Sequence, residues 1–424
     1  MSVHRTLALV LGVVMLAAGA VAQPSGGASL HETGGPDMGS SYAGAGARAQ
    51  DATTAWLNPA GLTRLEGNQL VSGLGLAWAD VSLELEAPGT ISVPPGNLDG
   101  GGHSGSLFPI LGSYASISLS DRLKAGLAVV APFGGGVDYS ENWVGRTSVT
   151  ENLLAGVLMQ PTAAFRVTDW LSVGAGVTIG YLNFEQQLKA SDSPLAPTIE
   201  ISDAEDWGVG ANIGILLEPW QGGRVGVTYV TEVTYELEGS LENPTTMTPS
   251  FGLDLTFPHS IEVSLYQEIT PEVALLLDVG WSDWSSFAFI PIQIGDRVKE
   301  TADLNWHDTW RIGVGGQWQV NDDLRVRAGW SYDSSSVDAE DVLAFLPAGA
   351  VNRISAGAEY RFNERITAHI SYTAAILDWE IDHVPFGNSG GMLDGEYDPS
   401  VIHFIGFSFN LELGRDPEDA STEE

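Results

Sequence analysis

The residues best suited to chemistry are a set of arginines in the last third of a strongly acidic chain. The sequence has 18 Lys and Arg residues against 54 Asp and Glu, a formal net charge of −36. A guanidinium binds a carboxylate through paired, charge-assisted hydrogen bonds, so these arginines could form a site for an acidic head group. They could instead form a ladder of salt bridges with Glu359 and with carboxylates from other segments. The arginines are Arg311, Arg325, Arg327, Arg353 and Arg361.

Other kinds of chemistry find little support in the sequence. The chain has no cysteine, which excludes thiolate chemistry and disulfides. It has no G-x-S-x-G elbow, H-E-x-x-H motif, Walker loop or complete dinucleotide fingerprint. The scarcity of basic residues argues against nucleic-acid binding. We therefore expect a protein that is not an enzyme and that needs no cofactor or metal.

The arginines lie in segments where apolar and polar residues alternate. Arg325 and Arg327 fall on the polar phase of one such run and Arg353 and Arg361 on that of the next. A period of two predicts β-strands. Apolar faces that end in aromatic residues are typical of a lipid-facing exterior, which leaves the arginines in a polar lumen. A soluble sandwich would also alternate. The apolar faces are 324, 326, 328, 330 and 332; 354, 356, 358, 360 and 362; 366, 368, 370 and 372; and 405, 407, 409 and 411.

The lengths of the connections favour a barrel over a sandwich. Short turns and long loops alternate strictly, as they do in outer-membrane barrels. Six turns and seven loops predict an all-β fold: a transmembrane antiparallel β-barrel of about 14 strands at 68–413, with both ends in the periplasm. The predicted turns are near 121, 168, 221, 271, 322 and 363, and the predicted loops are 80–108, 134–156, 184–206, 234–255, 284–308, 334–350 and 379–399. The predicted strand starts are 68, 110, 123, 157, 170, 207, 223, 256, 272, 308, 323, 351, 364 and 400.

The N-terminus predicts export. Residues 1–22 combine a basic start, an apolar run and Ala20-Val21-Ala22, which is typical of a cleaved signal peptide rather than an anchoring helix. No later stretch approaches the roughly 18 apolar residues of a spanning helix. Residues 414–424 form an acidic tail, which we expect to be disordered.

Residues 23–67 do not alternate. They include Asp51 in an alanine-rich stretch and a turn at Asn58, Pro59 and Ala60. A segment of roughly 40 small residues cannot hold a core of its own. We expect it to pack in the barrel lumen as a small, partly helical hatch; a flexible periplasmic leader is the alternative.

At this point the chain resembles the FadL/TodX family of outer-membrane transport proteins. The resemblance covers about 37–413 and implies a fourteen-stranded barrel plugged by a hatch. It implies diffusion of long-chain fatty acids, or of aromatic or alkane hydrocarbons, with displacement of the hatch and lateral exit at a kinked third strand. A general porin and a surface adhesin or receptor are the rival functions. The matching motifs are the stretch from Tyr42 to Leu62 with Asn58-Pro59-Ala60, Ala131-Pro132-Phe133-Gly134, Trp143-Val144-Gly145-Arg146, Phe257-Pro258-His259-Ser260, 278–287 and 306–313.

The residues of the expected lateral gate have suitable chemistry. Pro132 cannot donate to a strand ladder, and a run of glycines brings no side chains. Together with Phe133 they could break strand pairing locally, or they could be an ordinary strand end that passes into a loop. The glycines are Gly134, Gly135 and Gly136.

One motif departs from the fatty-acid members of the family. His307 stands where the resemblance implies a lysine that binds the carboxylate, and histidine is mostly neutral at pH 7. The region 181–184, where such members place an arginine, has no positive charge. An uncharged substrate therefore stays open. As partners we expect a hydrophobic small molecule, outer-membrane lipid, lipopolysaccharide and the barrel-assembly machinery, and we expect a monomer. Acidic outer loops could share divalent cations with lipopolysaccharide or simply be solvated.

Overall fold

The computed structural model describes residues 31–85, 102–103, 107–136, 138–143, 145–147, 149–191, 193, 195–242, 249–295, 298–342, 348–378, 380–386 and 391–413. The predicted signal peptide and acidic tail lie outside these residues.

Fourteen antiparallel strands close into a single barrel, so the predicted fold class and strand number are confirmed. Each strand pairs with its neighbours in the sequence, and the last strand pairs with the first from Asn68 opposite Leu413 to Leu85 opposite Gly395. In chain order the strands are β1 (Asn68–Leu85), β2 (Leu107–Ser118), β3 (Leu123–Gly135), β4 (Glu151–Arg166), β5 (Leu171–Lys189), β6 (Thr198–Trp220), β7 (Gly223–Val230), β8 (Ser260–Glu268), β9 (Val273–Ser282), β10 (Thr309–Gln319), β11 (Leu324–Asp333), β12 (Ala350–Asn363), β13 (Ile366–Asp378) and β14 (Gly391–Leu413).

The strands alternate between a lipid-facing and a lumenal face. Trp330, Ile354 and Phe407 are exposed on the outside of the barrel, whereas Ser331 and Arg353 are fully buried inside. Because successive side chains of a strand point to opposite faces, the sequence alternation places apolar groups toward lipid and polar groups toward the hatch.

Four of the predicted outer loops contain further strands, contrary to the prediction from the sequence. Val233–Glu242 and Ser250–Phe257 form one hairpin, and Phe289–Ile294 and Val298–Asp303 form a second. Glu380–Phe386 pairs with the start of β14. The barrel strand predicted to begin at 256 begins instead at Ser260, because residues 250–257 pair with 233–240. Short helical turns at Trp284–Phe287 and Ala339–Asp341 and a two-residue strand, Gly102–His103, complete the outer end.

Residues from His31 to Gly67 lie inside the barrel as a partly helical hatch, as predicted. The hatch contains a 3₁₀ turn at Pro36–Ser40, helix α1 (Ala45–Arg48), helix α2 (Thr54–Leu57) and a second 3₁₀ turn at Pro59–Arg64. The helices are short because α1 is flanked on both sides by left-handed residues, Gly44 and Ala49, and α2 is followed by a proline. Within the described residues, no helix has the length and apolar character needed to cross a membrane.

Candidate functional site

The Asn58-Pro59-Ala60 turn fastens the hatch to the barrel wall. The Asn58 Nδ2 atom donates to the carbonyl oxygen of Gly46 at 2.7 Å and to that of Ile215 on β6 at 3.1 Å. Its Oδ1 atom accepts from the Ala60 N–H at 3.1 Å. Pro59 opens the second 3₁₀ turn, where a missing N–H costs nothing. One side chain therefore joins α1, the second turn and β6.

Asp51 belongs to an ion-pair cluster within the hatch. The Arg48 guanidinium lies 2.6 Å from a carboxylate oxygen of Asp37 and 2.6 Å from one of Asp51. Burial alone would raise the pKa of Asp51, but Arg48 and the Thr53 hydroxyl outweigh it and hold that pKa well below its usual range. The ion pairs of Arg48 lie within the hatch, and Arg48 and Asp51 border the same cavity as Glu359 of the wall.

Two of the predicted lumenal arginines attach the hatch to β9–β12. Arg311 lies 3.3 Å from Asp278 and 3.0 Å from Asp333, and it donates to the carbonyl oxygen of Ser41. Arg353 pairs with Asp333 and lies 2.9 Å from Glu32. We call this group the ionic seam. Both guanidinium groups are buried and ion-paired, and Nη2 of Arg353 has no hydrogen-bond partner among the described residues.

The other predicted basic residues lie elsewhere. Arg325 and Arg327 pair with Glu359 at 3.1 and 2.6 Å, as the salt-bridge alternative of the sequence analysis expects. Arg361 is exposed at the periplasmic mouth. His307 is exposed in the loop before β10, 3.8 Å from Asp338. The six residues therefore do not form one basic site, and a role for any of them in ligand binding stays a prediction.

A cavity of about 280 Å³ lies between the hatch and the outer hairpins. Its polar edge contains Arg311, Asp333 and Glu262. Most of its walls were not predicted from the sequence, although the alternation of apolar residues over 251–257 is typical of a strand with one buried face. We call this space the outer cavity. Its apolar lining includes Trp56, Leu57, Leu158, Val230, Val233, Tyr235, Phe257 and Trp284.

The barrel wall is interrupted beside the outer cavity. Among the described residues, the pairing of β2 with β3 ends at Gly112 opposite Val130. Above this point β2 continues to pair with β1, and β3 continues to pair with β4 after a bulge between Val130 and Phe133. Pro132 is buried and lines the outer cavity. Its neighbour Ala131 borders a small crevice in the wall. The side chains of the other gate candidates lie outside the described residues, apart from Gly136, which follows β3.

A closed barrel with an apolar exterior and a plugged lumen is the architecture of an outer-membrane β-barrel protein. The family model of outer membrane protein transport protein (OMPP1/FadL/TodX) matches residues 16–403. The chain belongs to this family.

The relatives agree with this assignment. The long-chain fatty acid transport protein of Salmonella typhi is 25% identical in an alignment of 376 positions that covers 80% of this chain and 85% of that protein. Outer membrane protein P1 of Haemophilus influenzae is 23% identical over 389 residues, covering 81% and 84% of the two chains. The crystal structure of a Pseudomonas aeruginosa FadL homologue superimposes with a TM-score of 0.82 at 19% identity, covering 91% of this chain and 99% of that one. The chain is thus an outer-membrane transporter of hydrophobic compounds of the FadL/TodX type.

Proposed function

We propose that the protein passes small uncharged hydrophobic molecules through the outer membrane by passive diffusion. The observation that supports this proposal is the charge of the residues that line the outer cavity. Arg311, the arginine that borders it, is already paired with Asp278 and Asp333, and His31 in the same lining lies 3.5 Å from Asp333. Glu262 adds a further carboxylate to the cavity lining. An anionic head group would have to displace a buried partner or lie beside a negative charge, and both cost free energy. A neutral ligand meets neither cost.

The proposed route leads from the outer hairpins to the lipid. A ligand would enter the outer cavity against Trp56, Tyr235 and Phe257. It would leave sideways between β2 and β3, where the cavity-lining Pro132 adjoins the unpaired stretch of wall. Movement of α2, which carries Trp56, would widen the passage. No energy-coupling segment is recognisable in the sequence, which supports movement down a gradient.

Long-chain fatty acids are the second candidate substrate. They are favoured by the relatives of the chain, several of which are long-chain fatty acid transport proteins of enteric bacteria at 24–25% identity. Toluene transporters share the fold with TM-scores such as 0.64 for TodX of Pseudomonas putida, at 15% identity over 86% of this chain and 95% of that one. The relatives therefore do not decide between neutral hydrocarbons and fatty acids, and the choice rests on the charges that line the outer cavity.

A matched pair of ligands tests the substrate class. Purified protein in detergent would be loaded with a neutral fluorescent hydrophobic probe and titrated with 1-dodecanol or dodecanoate, which differ only in the head group. We expect 1-dodecanol to displace the probe at a concentration about tenfold lower, a difference of about 1.4 kcal/mol. The substitution Glu262→Gln should reduce the difference between the displacing concentrations of 1-dodecanol and dodecanoate. Equal or tighter binding of dodecanoate, lost in Arg311→Ala but not in Arg361→Ala, would instead establish fatty acids as the substrate.

A cysteine pair tests the route. The chain has no cysteine, so Leu111→Cys with Ala131→Cys, one residue beyond the last β2–β3 pair, gives a single cross-link across the interruption. We expect oxidation to abolish uptake of the neutral probe into proteoliposomes and a reductant to restore it. Ala358→Cys with Ile370→Cys, opposite each other on β12 and β13, is the matched control. Unchanged uptake through the cross-linked gate would exclude lateral exit there.

A further inference from the structure

A second cavity of about 540 Å³ opens at the periplasmic mouth, on the other side of the hatch from the outer cavity. We call it the periplasmic cavity. Its lining is mostly polar and charged, unlike that of the outer cavity, and it includes Arg64, Arg224, Tyr266, Gln317 and Glu268. This composition suits a hydrophilic ligand rather than the hydrophobic substrate.

Arg224, on β7, is the exceptional residue of this cavity. Its side chain is buried, with the residue only 6% exposed. The central carbon of its guanidinium lies 3.6 Å from the centre of the Tyr266 ring on the adjacent strand β8. Its Nε atom has no hydrogen-bond partner, and no described residue forms an ion pair with it. The ring holds the guanidinium in place by a cation–π contact, and the buried Nε–H donor is left without a partner in the described part of the chain.

The other buried arginines of the lumen and hatch differ from Arg224 because each has a carboxylate partner. Arg48, Arg311, Arg327 and Arg353 each lie within ion-pair distance of a carboxylate. An unpaired buried charge is costly, so it is normally matched by a partner of opposite sign. Arg224 lacks that partner within the part of the chain that the structure describes.

Two carboxylates near Arg224, Glu218 and Glu268, contact other groups. Six further carboxylates line the cavity: Asp51, Glu66, Glu272, Glu359, Glu364 and Glu412. Glu218 pairs with Arg64, whose Nε atom is also without a hydrogen-bond partner. Glu268 lies 3.5 Å from the Tyr266 hydroxyl. That hydroxyl also accepts from Gln317 at 3.1 Å, which fixes the ring beneath the guanidinium. Two arginines with open donors therefore border one cavity.

We propose that Arg224, with Arg64 beside it, forms a binding site for a small hydrophilic oxyanion, a carboxylate or a phosphate group, in the periplasmic cavity. The planar guanidinium offers two parallel N–H donors to such a group. The site lies apart from the outer cavity and does not depend on which hydrophobic substrate the protein transports.

Anion binding to the full-length protein tests the site. Protein in detergent would be titrated with inorganic phosphate and, separately, with acetate and octanoate, in a chloride-free buffer of constant ionic strength, and binding would be followed by calorimetry. We expect saturable binding of at least one of these anions that weakens at least tenfold in Arg224→Gln and partly recovers in Arg224→Lys. Preference for phosphate would indicate a phosphate group as the ligand, and preference for acetate or octanoate a carboxylate.

The controls separate a specific site from general charge. Arg122→Gln removes an exposed arginine from the periplasmic turn between β2 and β3 and should leave binding unchanged. Should Arg224→Gln fail to give the heat-modifiable band of a folded barrel, Tyr266→Leu removes the platform while keeping the charge, and it should also weaken binding. Absence of saturable binding to the wild-type protein, or equal binding in wild type and both Arg224 variants, would overturn the proposal.

Discussion

The two sides of the hatch are attached to the barrel by different chemistry. Against β9–β12 the attachment is the ionic seam, in which Asp333 receives both Arg311 and Arg353. Against β4–β7 the α2 segment is held by neutral hydrogen bonds to its backbone, and the ion pair between hatch and wall on this side, Arg64 with Glu218, lies in the second 3₁₀ turn and not in α2. Gln160, Asn212 and Thr228 donate to the carbonyl oxygens of Ala55, Trp56 and Leu57 at 2.8, 2.8 and 3.2 Å.

This difference indicates which part of the hatch moves. A neutral hydrogen bond contributes about 0.5–1.5 kcal/mol, and water can replace it when the bond opens toward a cavity. A buried ion pair that loses one partner leaves an uncompensated charge, which costs about 3–5 kcal/mol. Trp56 and Leu57 lie on the neutrally attached side and line the outer cavity. We therefore expect a ligand to shift α2 while the seam holds residues 31–42 in place.

The largest effect should come from breaking the seam. Asp333→Asn leaves Arg311 and Arg353 buried with one carboxylate partner each, Asp278 and Glu32. Since both guanidinium charges remain compensated, we expect the variant to lose about 1.5–3 kcal/mol of hatch stability, the contribution of hydrogen bonds to a charged group. In planar bilayers it should show frequent conductance bursts that the wild-type protein lacks, because the N-terminal part of the hatch is released.

An exposed aspartate provides the control. Asp338→Asn removes a carboxylate whose side chain is 84% exposed, so its bilayer traces should match those of the wild type. Wild-type conductance in Asp333→Asn would show that the ionic seam does not hold the hatch.

A smaller and more local effect should come from the neutral side. Gln160→Met keeps the side-chain length but removes the bond to Ala55 and the one from Thr178 at 2.9 Å. We expect a loss of about 1 kcal/mol, seen as faster amide hydrogen exchange in 52–58 with no change in 36–42. Gln293→Met, at an exposed position of an outer hairpin, is the matched control. Equal acceleration in both segments would mean that the hatch opens as one unit.

The sequence could predict the barrel because each wall strand carries its own evidence. Alternation along β11–β13 is a local pattern, and the pleat converts it directly into a lipid face and a lumenal face. The strands of the outer hairpins were not predicted because they are short. Their pairing partners are determined by contacts above the outer cavity, which the sequence does not show. Phe251, Leu253, Leu255 and Phe257 alternate, yet nothing in the sequence says what they cover.

The site was predictable only to the level of single residues. Alternation placed Arg353 in the lumen, but its partner Glu32 lies 321 positions away in the chain. Asp333 is the carboxylate that contacts both arginines of the ionic seam, but in the sequence it is only the polar residue at the end of a predicted strand. Pairings of this kind arise only when the hatch is inside the barrel, so a single sequence cannot supply them.

The smallest expected effect concerns the Arg48–Asp51 pair, which belongs to the hatch alone. The pKa of Asp51 is lowered in the folded protein, so the stability it adds is fully present above its unfolded pKa of about 3.9 and is lost only as the pH falls through the lower folded value. Between pH 8 and pH 5 the contribution of this pair should therefore not change. Amide exchange of 45–57, corrected for the intrinsic rate, should give the same opening free energy at both ends of that range. The variant Asp51→Asn should open more readily at every pH, because Arg48 loses one of its two carboxylates. A fall in the opening free energy of the wild-type hatch between pH 6 and pH 5, absent in Asp51→Asn, would show that the Asp51 carboxylate titrates in that range. It would contradict the expectation that Arg48 lowers the pKa of Asp51.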